Sequence, residues 1–282
     1  MSEPKGIEPG HNKTEVEHRR DICAVGRWVH GHGYVAATDG NISIRLDQRR
    51  VLATPTLMSK GMMAPDDLVV VDTKGGHVQG RRKASSEIAM HLLIYKRRPD
   101  VHAVVHAHPP TATGYAAAGL ALNQALISEV VLALGCIPLA RYGTPGTPEL
   151  TEALAPLVAQ YDAILMANHG VVTYGADLLT AYMRMETVEH FARISLVTQL
   201  LGGPNLLSRE EVEKLGEARA RYFGGTGAPV APLTETCPVT SEPVHTCACG
   251  NHRAEGRDRF WVSREELEAL IDEAVKSAKV RS

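Results

Sequence analysis

The sequence predicts an α/β or α+β core, and three observations support that fold class. Short runs rich in β-branched and apolar residues alternate with longer stretches whose apolar residues recur at helical spacing. Glycine, proline and asparagine separate these runs where the chain must turn. The alternation extends over residues 14–223, roughly 200 residues, which suits one domain with a sheet covered by helices.

The first helix is predicted over residues 14–33, because Ile22, Val25 and Val29 fall on one of its faces. A glycine-containing turn then ends it. Three short strands follow, in runs of apolar residues separated by turn-forming residues: 42–46, 51–53 and 68–71.

A second helix is predicted over residues 87–98, with Ser85 as its candidate N-cap and Pro99 beyond its end. Residues 101–107 form the next predicted strand, and Pro110 opens a short helix. The remaining predicted elements are a helix that starts at Thr147, strands at 163–167 and 171–174 around a turn, and a helix from Asp177 through Leu201.

The composition changes at Gly224. Residues 224–258 are rich in glycine, proline, threonine and cysteine and have no apolar periodicity, so they are predicted to be a flexible linker. Residues 259–282 predict an amphipathic helix, since a capping box precedes apolar residues at helical spacing. Residues 1–13 are predicted to be disordered.

Charge and hydropathy narrow the class of partner. The chain has 282 residues, 44% hydrophobic and 22% charged, with a net charge of −2 and no long basic face. This argues against a nucleic-acid-binding protein that relies on phosphate neutralisation and favours a small charged metabolite. The sequence shows neither an apolar stretch long enough to span a membrane nor an apolar leader, so we expect a cytoplasmic protein.

Three histidines suggest a metal site. His106 and His108 lie two apart at the end of a predicted strand, so their side chains share one face, about 6.5 Å apart along it. That pair alone is equally consistent with two polar residues at a strand terminus. His169, in a turn between two apolar strands, adds a third ligand, as a catalytic zinc with an open position requires.

Glu87 follows Ser85 and Ser86 at a predicted helix start. Free backbone N–H groups and the helix dipole suit a phosphate there. Glu87 by itself fits a carboxylate stabilised by the dipole, but beside a divalent metal it becomes a candidate general acid and base. Gly40 and Asn41, in a turn before a strand, allow close backbone approach and amide hydrogen bonds.

Together, five short motifs resemble the class II aldolase/adducin family. They occur in the family's order within residues 14–222, and they are Gly40-Asn41-Ile42-Ser43, Thr54-Pro55-Thr56, Ser85-Ser86-Glu87, His106-Ala107-His108 and Asn168-His169-Gly170. The resemblance is closest to the branch that acts on L-fuculose 1-phosphate.

The resemblance implies a three-layer α/β/α fold with a mostly antiparallel sheet and a homotetramer with its active site near a subunit interface. It implies one Zn²⁺ per subunit, held by His106, His108 and His169, and Glu87 as the acid/base. It also implies a phosphate site formed by Gly40, Asn41, Thr56, Ser85 and Ser86. The implied reaction cleaves a ketose 1-phosphate of the L-fuculose or L-rhamnulose type to dihydroxyacetone phosphate and lactaldehyde.

Two positions depart from the family pattern. Leu57 stands where the phosphate loop usually has glycine, and Lys60 is the candidate compensating contact. The region that supplies a tyrosine to the neighbouring subunit has none in residues 126–130, and Glu129 is the candidate substitute. The family also includes sugar-phosphate epimerases, dehydratases, decarboxylases and adducin-like modules without catalysis, which remain alternatives.

The C-terminal region resembles the encapsulation peptides that dock enzymes into bacterial microcompartments, with a shell protein as the implied partner. The alternative is a helix that folds back on the core or covers a tetramer interface. Cys237, Cys247, Cys249 and His252 form a candidate metal knuckle, although their spacing matches no paired C-x-x-C scheme.

Overall fold

The computed structural model describes residues 13–223, and it describes side chains up to residue 219. In this range the helices are α1 (Glu15–Gly31), α2 (Ile88–Arg97), α3 (Pro110–Ala117), α4 (Ser128–Ala133), α5 (Pro148–Val158), α6 (Leu178–Leu200) and α7 (Arg209–Phe223). The strands are β1 (Asn41–Arg45), β2 (Arg50–Ala53), β3 (Val69–Asp72), β4 (His77–Gln79), β5 (Ala103–Ala107), β6 (Leu139–Ala140), β7 (Ala163–Met166) and β8 (Gly170–Gly175). A short 3₁₀ helix spans Pro65–Asp67.

These strands form one eight-stranded sheet in the order β4-β3-β2-β1-β5-β8-β7-β6. All neighbouring pairs are antiparallel except β6 and β7. The predicted, mostly antiparallel sheet is therefore confirmed. The order places β5 between β1 and β8, so three distant parts of the chain meet at the centre of the sheet.

Helices cover both faces of the sheet. Because successive strand residues point to opposite faces, Val105 packs in one apolar cluster and Val104 in another. The first cluster contains residues of α1, α3 and α6, and the second contains residues of α2 and α5. This arrangement is the three-layer α/β/α fold that the resemblance implied.

Local sequence explains where the first helix begins. The Thr14 hydroxyl accepts from the Glu17 backbone N–H, and the Glu17 carboxylate accepts from the Thr14 N–H, so both members of a capping box are present. Ile22, Val25 and Val29 are buried as predicted. The helix ends two residues before the predicted boundary, within the ordinary scatter of helix termini.

Other predictions need correction. The N-cap of α2 is Glu87, so the expected cap at Ser85 is wrong; residues 85–87 form a turn before the helix. The elements β4, β6, α4 and α7 are additional to those that the sequence pattern indicated. Two of them, β6 with two residues and β4 with three, are too short for periodicity to identify.

The predicted linker, the amphipathic helix and the cysteine cluster lie outside the described residues, as does most of the predicted disordered N-terminus. Lys13, the last residue of that segment, forms an ion pair of 2.8 Å with Asp21. Within the described range, no helix is both long and apolar enough to cross a membrane.

Candidate metal centre and substrate site

His106 lies on β5, with its side chain buried on the same sheet face as Val104. Its Nδ1 lies 2.8 Å from the carbonyl oxygen of Val171 on β8. A carbonyl can only accept, so Nδ1 carries a proton and donates it, and Nε2 is the nitrogen that faces the cluster. A backbone contact of this kind fixes both tautomer and ring orientation, as is usual for histidines that bind metals.

His108 follows β5, and its backbone N–H donates to the carbonyl of Tyr34 at 2.8 Å. Its Nε2 lies 3.2 Å from Nε2 of His106, and the planes of the two rings meet at 64°. On the other side of the ring, Nδ1 lies 3.5 Å from Oδ2 of Asp39. Asp39 is placed to orient His108 as a carboxylate partner of a ligating histidine does.

His169 comes from the tight turn between β7 and β8. Asn168 has a φ of +55°, a left-handed conformation that asparagine tolerates better than most residues. Gly170, on the other side of His169, is required by packing: a Cβ there would lie 2.5 Å from Cδ2 of His108 and 2.7 Å from the carbonyl of Ala107. The Asn-His-Gly motif therefore places His169 beside the β5 histidines.

The ligand nitrogens of the three histidines all lie within 4.8 Å of one another. The carboxylate of Glu87 closes the cluster, since its Oε2 is 3.3 Å from Nε2 of His106 and its Oε1 is 3.1 Å from Nε2 of His169. A buried carboxylate that faces an imidazole lone pair needs a cation or a proton between them. Three imidazole nitrogens are a donor set that fits a catalytic zinc site.

Charge and burial set the protonation of this cluster. Burial alone would raise the pKa of Glu87, but the neighbouring His106 and His169 lower it well below its ordinary value, so Glu87 is ionised. Burial, together with the neighbouring His106 and His169, lowers the pKa of His108 to about 4. His108 is therefore neutral near pH 7, which is the form that binds a metal.

Asn41 joins the first β-hairpin to this cluster. It lies opposite His106 in the β1–β5 register, and its Nδ2 donates to Oε2 of Glu87 at 2.8 Å and to Oγ of Ser85 at 3.1 Å. Gly40 has a φ of +71°, and a Cβ at that position would lie 2.8 Å from the carbonyl of His106. Only glycine lets this turn approach β5 so closely.

The two predicted phosphate segments are neighbours. An isolated bridge pairs Pro55 with Ala84, the backbone N–H of Thr56 donates to Lys83 at 3.0 Å, and that of Ser85 donates to Thr54 at 3.2 Å. Thr56 is half-buried and Ser86 is exposed. The predicted phosphate residues Thr56, Ser85 and Ser86 therefore come together directly before Glu87.

Leu57, at the position where the family's phosphate loop usually has glycine, adopts a left-handed backbone conformation that glycine tolerates best. Its φ is +54°, and its side chain is 82% exposed, directed into solvent. A non-glycine residue in this conformation costs roughly 1–2 kcal/mol.

Lys60 is buried between the loop before Gly40 and the loop after Leu57. Its side chain is buried, and Nζ donates to the carbonyls of Thr38 at 2.9 Å and Met58 at 2.6 Å. Burial lowers its pKa to about 8, opposed by the charges of Asp39 and Glu87. In the structure Lys60 ties the loop before Gly40 to the loop after Leu57.

Comparison with known proteins assigns the family. The sequence pattern of the Class II Aldolase and Adducin N-terminal domain matches residues 20–196, more than half of the chain. The chain belongs to the class II aldolase/adducin family. The expected enzyme class, a class II aldolase that acts as a carbon–carbon lyase, is thereby confirmed.

The relatives to which this chain is similar are named for different reactions. The chain is 34% identical to a 5-deoxy-D-ribulose 1-phosphate aldolase from Bacillus thuringiensis, over 74% of this chain and 96% of the relative. It is also 34% identical to a 3-oxo-tetronate 4-phosphate decarboxylase from Haemophilus influenzae, over 66% and 90%. A solved L-fuculose 1-phosphate aldolase superposes with a TM-score of 0.66 at 30% identity, over 74% and 99%.

The sequence motifs gave no role to the groups behind Glu87, although Ser43 is part of one of them. His91, Ser43 and Tyr95 are buried beside Asn41, and Asp39 contacts His108. One signal could have found His91, which follows Glu87 by one helical turn and so shares its face of α2. The candidate substitute for the family tyrosine, Glu129, lies exposed in the first turn of α4.

Proposed function

We propose that this protein is a zinc-dependent aldolase that cleaves a ketose 1-phosphate of the L-fuculose, L-rhamnulose or 5-deoxyribulose type. One observation carries the proposal: the ionised Glu87 carboxylate lies 3.1 Å from His169 and 3.3 Å from His106, within the histidine cluster. Of the two phosphate segments, Ser85-Ser86 directly precedes this carboxylate, and Thr54-Pro55-Thr56 pairs with residues 83–85. The aldolase relative with a 1-phosphoketose in its name supports the substrate class.

In the proposed reaction, the substrate phosphate binds the segments around Thr56, Ser85 and Ser86. A zinc ion held by His106, His108 and His169 supplies Lewis-acid stabilisation of negative charge on the substrate oxygens. Breaking the C3–C4 bond leaves an electron pair on C3. Glu87, which is ionised before the reaction, first takes up a proton from solvent, then delivers it to C3 and returns to its ionised form.

A second group must take the proton that leaves the C4 hydroxyl as the aldehyde forms. Glu129 is our candidate, and it would act from a neighbouring subunit of a homotetramer. Cleavage of a fuculose or rhamnulose phosphate gives dihydroxyacetone phosphate and lactaldehyde, whereas cleavage of 5-deoxyribulose 1-phosphate gives dihydroxyacetone phosphate and acetaldehyde. Light scattering on the purified protein tests the tetramer, and a monomer would remove the interfacial role of Glu129.

A product assay tests the aldolase. The zinc-loaded protein is incubated with L-fuculose, L-rhamnulose and 5-deoxy-D-ribulose 1-phosphates, and dihydroxyacetone phosphate is measured by coupled reduction. We expect release from at least one substrate and a loss of about 10²-fold or more in Glu87→Gln. The exposed Glu213→Gln on α7 is the matched control. If none of the three sugars releases dihydroxyacetone phosphate, the aldolase proposal fails.

Decarboxylation is the second candidate, because the relative from Haemophilus influenzae is equally identical to this chain. A 3-oxo acid that loses CO₂ also leaves electrons on carbon beside a carbonyl, so the same metal and proton donor would serve. Release of CO₂ from 3-oxo-tetronate 4-phosphate, without dihydroxyacetone phosphate from the sugar panel, would select this reaction.

For residues 224–282 we propose a docking role, with residues 259–282 binding a microcompartment shell protein. The support is the capping box and the apolar stripe that follows it in the sequence. Deleting residues 224–282 should leave turnover unchanged and release a fluorescent fusion from shell-associated foci. Unchanged localisation of the truncated fusion would contradict the docking role.

A further inference from the structure

A line of buried polar side chains extends from Glu87 into the core, away from the metal cluster. Its members are Asn41, His91, Ser43 and Tyr95, each less than a tenth exposed. Polar groups in such surroundings are costly unless they are hydrogen-bonded. Each of these groups is bonded to the next, so the line forms one continuous chain of hydrogen bonds.

The distances define the chain from its far end. The Tyr95 hydroxyl and Oγ of Ser43 are 2.7 Å apart, and Oγ of Ser43 is 2.7 Å from Nδ1 of His91. Nε2 of His91 contacts Oδ1 of Asn41. Nδ2 of Asn41 then donates to Oε2 of Glu87 at 2.8 Å.

Only one direction of donation satisfies every group. The Glu87 carboxylate can only accept, so the nitrogen of the Asn41 amide must face it, and its oxygen must face His91. That oxygen needs a donor, so Nε2 of His91 carries the proton. Nδ1 of the neutral ring then accepts from Ser43, whose oxygen accepts from Tyr95.

We propose that His91 is a positioning residue for Glu87: its Nε2–H fixes the Asn41 amide with the nitrogen toward the carboxylate. This inference rests on the proposed role of Glu87 as the acid/base. Without the His91 donor, the oxygen of the Asn41 amide has no hydrogen bond that favours this orientation. If the amide flips, its oxygen faces the carboxylate and repels it from its place beside His106 and His169.

Tyr95, at the far end of this chain of hydrogen bonds, is held in place by Arg45. The Arg45 guanidinium stacks over the Tyr95 ring at 4.9 Å and donates to the carbonyl of Tyr95 at 2.6 Å. His91 and Tyr95 lie on successive turns of α2, the helix that begins directly after Glu87. The helix that directly follows the acid therefore carries two of the groups in this hydrogen-bond chain.

Two variants with side chains of similar length test whether the Nε2–H donor of His91 is needed. His91→Gln keeps an N–H near the position of Nε2, whereas His91→Met has a similar length and no donor. In the zinc-loaded full-length protein we expect Met to lower kcat by about 10- to 100-fold, with KM changed less than about threefold. Gln should restore kcat to within about fivefold of wild type, and both variants should retain wild-type zinc content.

Crystal structures of the same zinc-loaded variants give a readout without activity. We expect the Glu87 carboxylate to move in His91→Met and to keep its wild-type place in His91→Gln. Equal losses of kcat in both variants, or an unmoved carboxylate in His91→Met, would overturn the inference. If no substrate is turned over, the proposed function has failed, and the structures still decide the role of His91. If His91→Met fails to fold, Ser43→Ala takes its place with the same expectations, at smaller magnitude.

Discussion

Several positions at the site are restricted in which residue they accept, either by the space around them or by their backbone conformation. Gly40 and Gly170 both lie against the strand that carries His106, and a methyl group at either position would meet backbone or ring atoms closer than 3 Å. Leu57, in contrast, has space for its side chain but an unfavourable backbone conformation. These two kinds of constraint lead to different predictions.

Gly170→Ala should weaken zinc binding. Its new Cβ would push against the His108 ring and displace one ligand, and we expect the dissociation constant to rise by about tenfold or more, as loss of ligand orientation does. The measurement is competition with a chromogenic chelator. Gly114→Ala in α3, where a Cβ meets nothing within 4 Å, is the matched control. Equal zinc affinity in the two variants would contradict the packing argument.

Leu57→Gly and Leu57→Ala separate backbone strain from loss of the side chain. Both remove the exposed leucine, but only glycine relieves the left-handed conformation. We expect the glycine variant to have a free energy of unfolding about 1 kcal/mol higher than the alanine variant, measured by urea denaturation. An alanine variant as stable as the glycine variant would show that the loop relaxes without strain.

At the scale of elements, α3 depends on a carboxylate from another helix. Glu189 of α6 is fully buried and accepts hydrogen bonds from the backbone N–H groups of Thr111 at 3.0 Å and Ala112 at 2.9 Å. Arg193 balances its charge with a bond of 2.9 Å from Nε. Since α3 begins two residues after His108, this cap also fixes the chain that leaves the metal cluster.

Glu189→Gln should destabilise the protein by about 1–3 kcal/mol, because one amide oxygen replaces a charged acceptor and an N–H group faces the helix N-terminus. Chemical denaturation measures the change. Glu213→Gln, which breaks an exposed ion pair on α7, should change the free energy of unfolding by less than about 1 kcal/mol. A similar effect for both variants would remove the capping role of Glu189.

At the scale of the whole molecule, buried histidines set the response to acid. Burial lowers the pKa of His91 to about 3 and that of His108 to about 4, below the ordinary value of 6.5. As pH falls below about 6.5, the unfolded chain binds protons at these histidines and the folded protein does not. The free energy of unfolding should therefore fall by up to about 1.4 kcal/mol per pH unit for each histidine.

His91→Gln should make this slope shallower between pH 6.5 and 4, because one proton fewer is taken up on unfolding. The measurement is urea denaturation at several pH values, with zinc at the same total concentration throughout. Gly114→Ala, which changes no titratable group and adds a methyl group where there is space, should leave the slope unchanged. A wild-type slope in His91→Gln would mean that His91 binds its proton equally in both states.

The sequence predicted much of this molecule because its strongest signals are local. Alternation and capping residues located α1, α5 and the central strands, and the family motifs named the cluster of Glu87 with His106, His108 and His169. The chain of hydrogen bonds through His91, Ser43 and Tyr95 depends on the β1–β5 register. This register places Asn41 opposite His106 and Ser43 opposite Val104. Register between strands distant in the chain leaves no local signal.

The meeting of β5 and β8 has a consequence for biosynthesis. His106 lies on β5 and His169 in the turn that leads into β8, and α3, α4 and α5 lie between them in the chain. A nascent chain that ends before this turn therefore holds only part of the ligand set. A metal site that forms with the fold contributes its binding free energy to folding. The ion would therefore stabilise the sheet only after synthesis has passed the turn between β7 and β8.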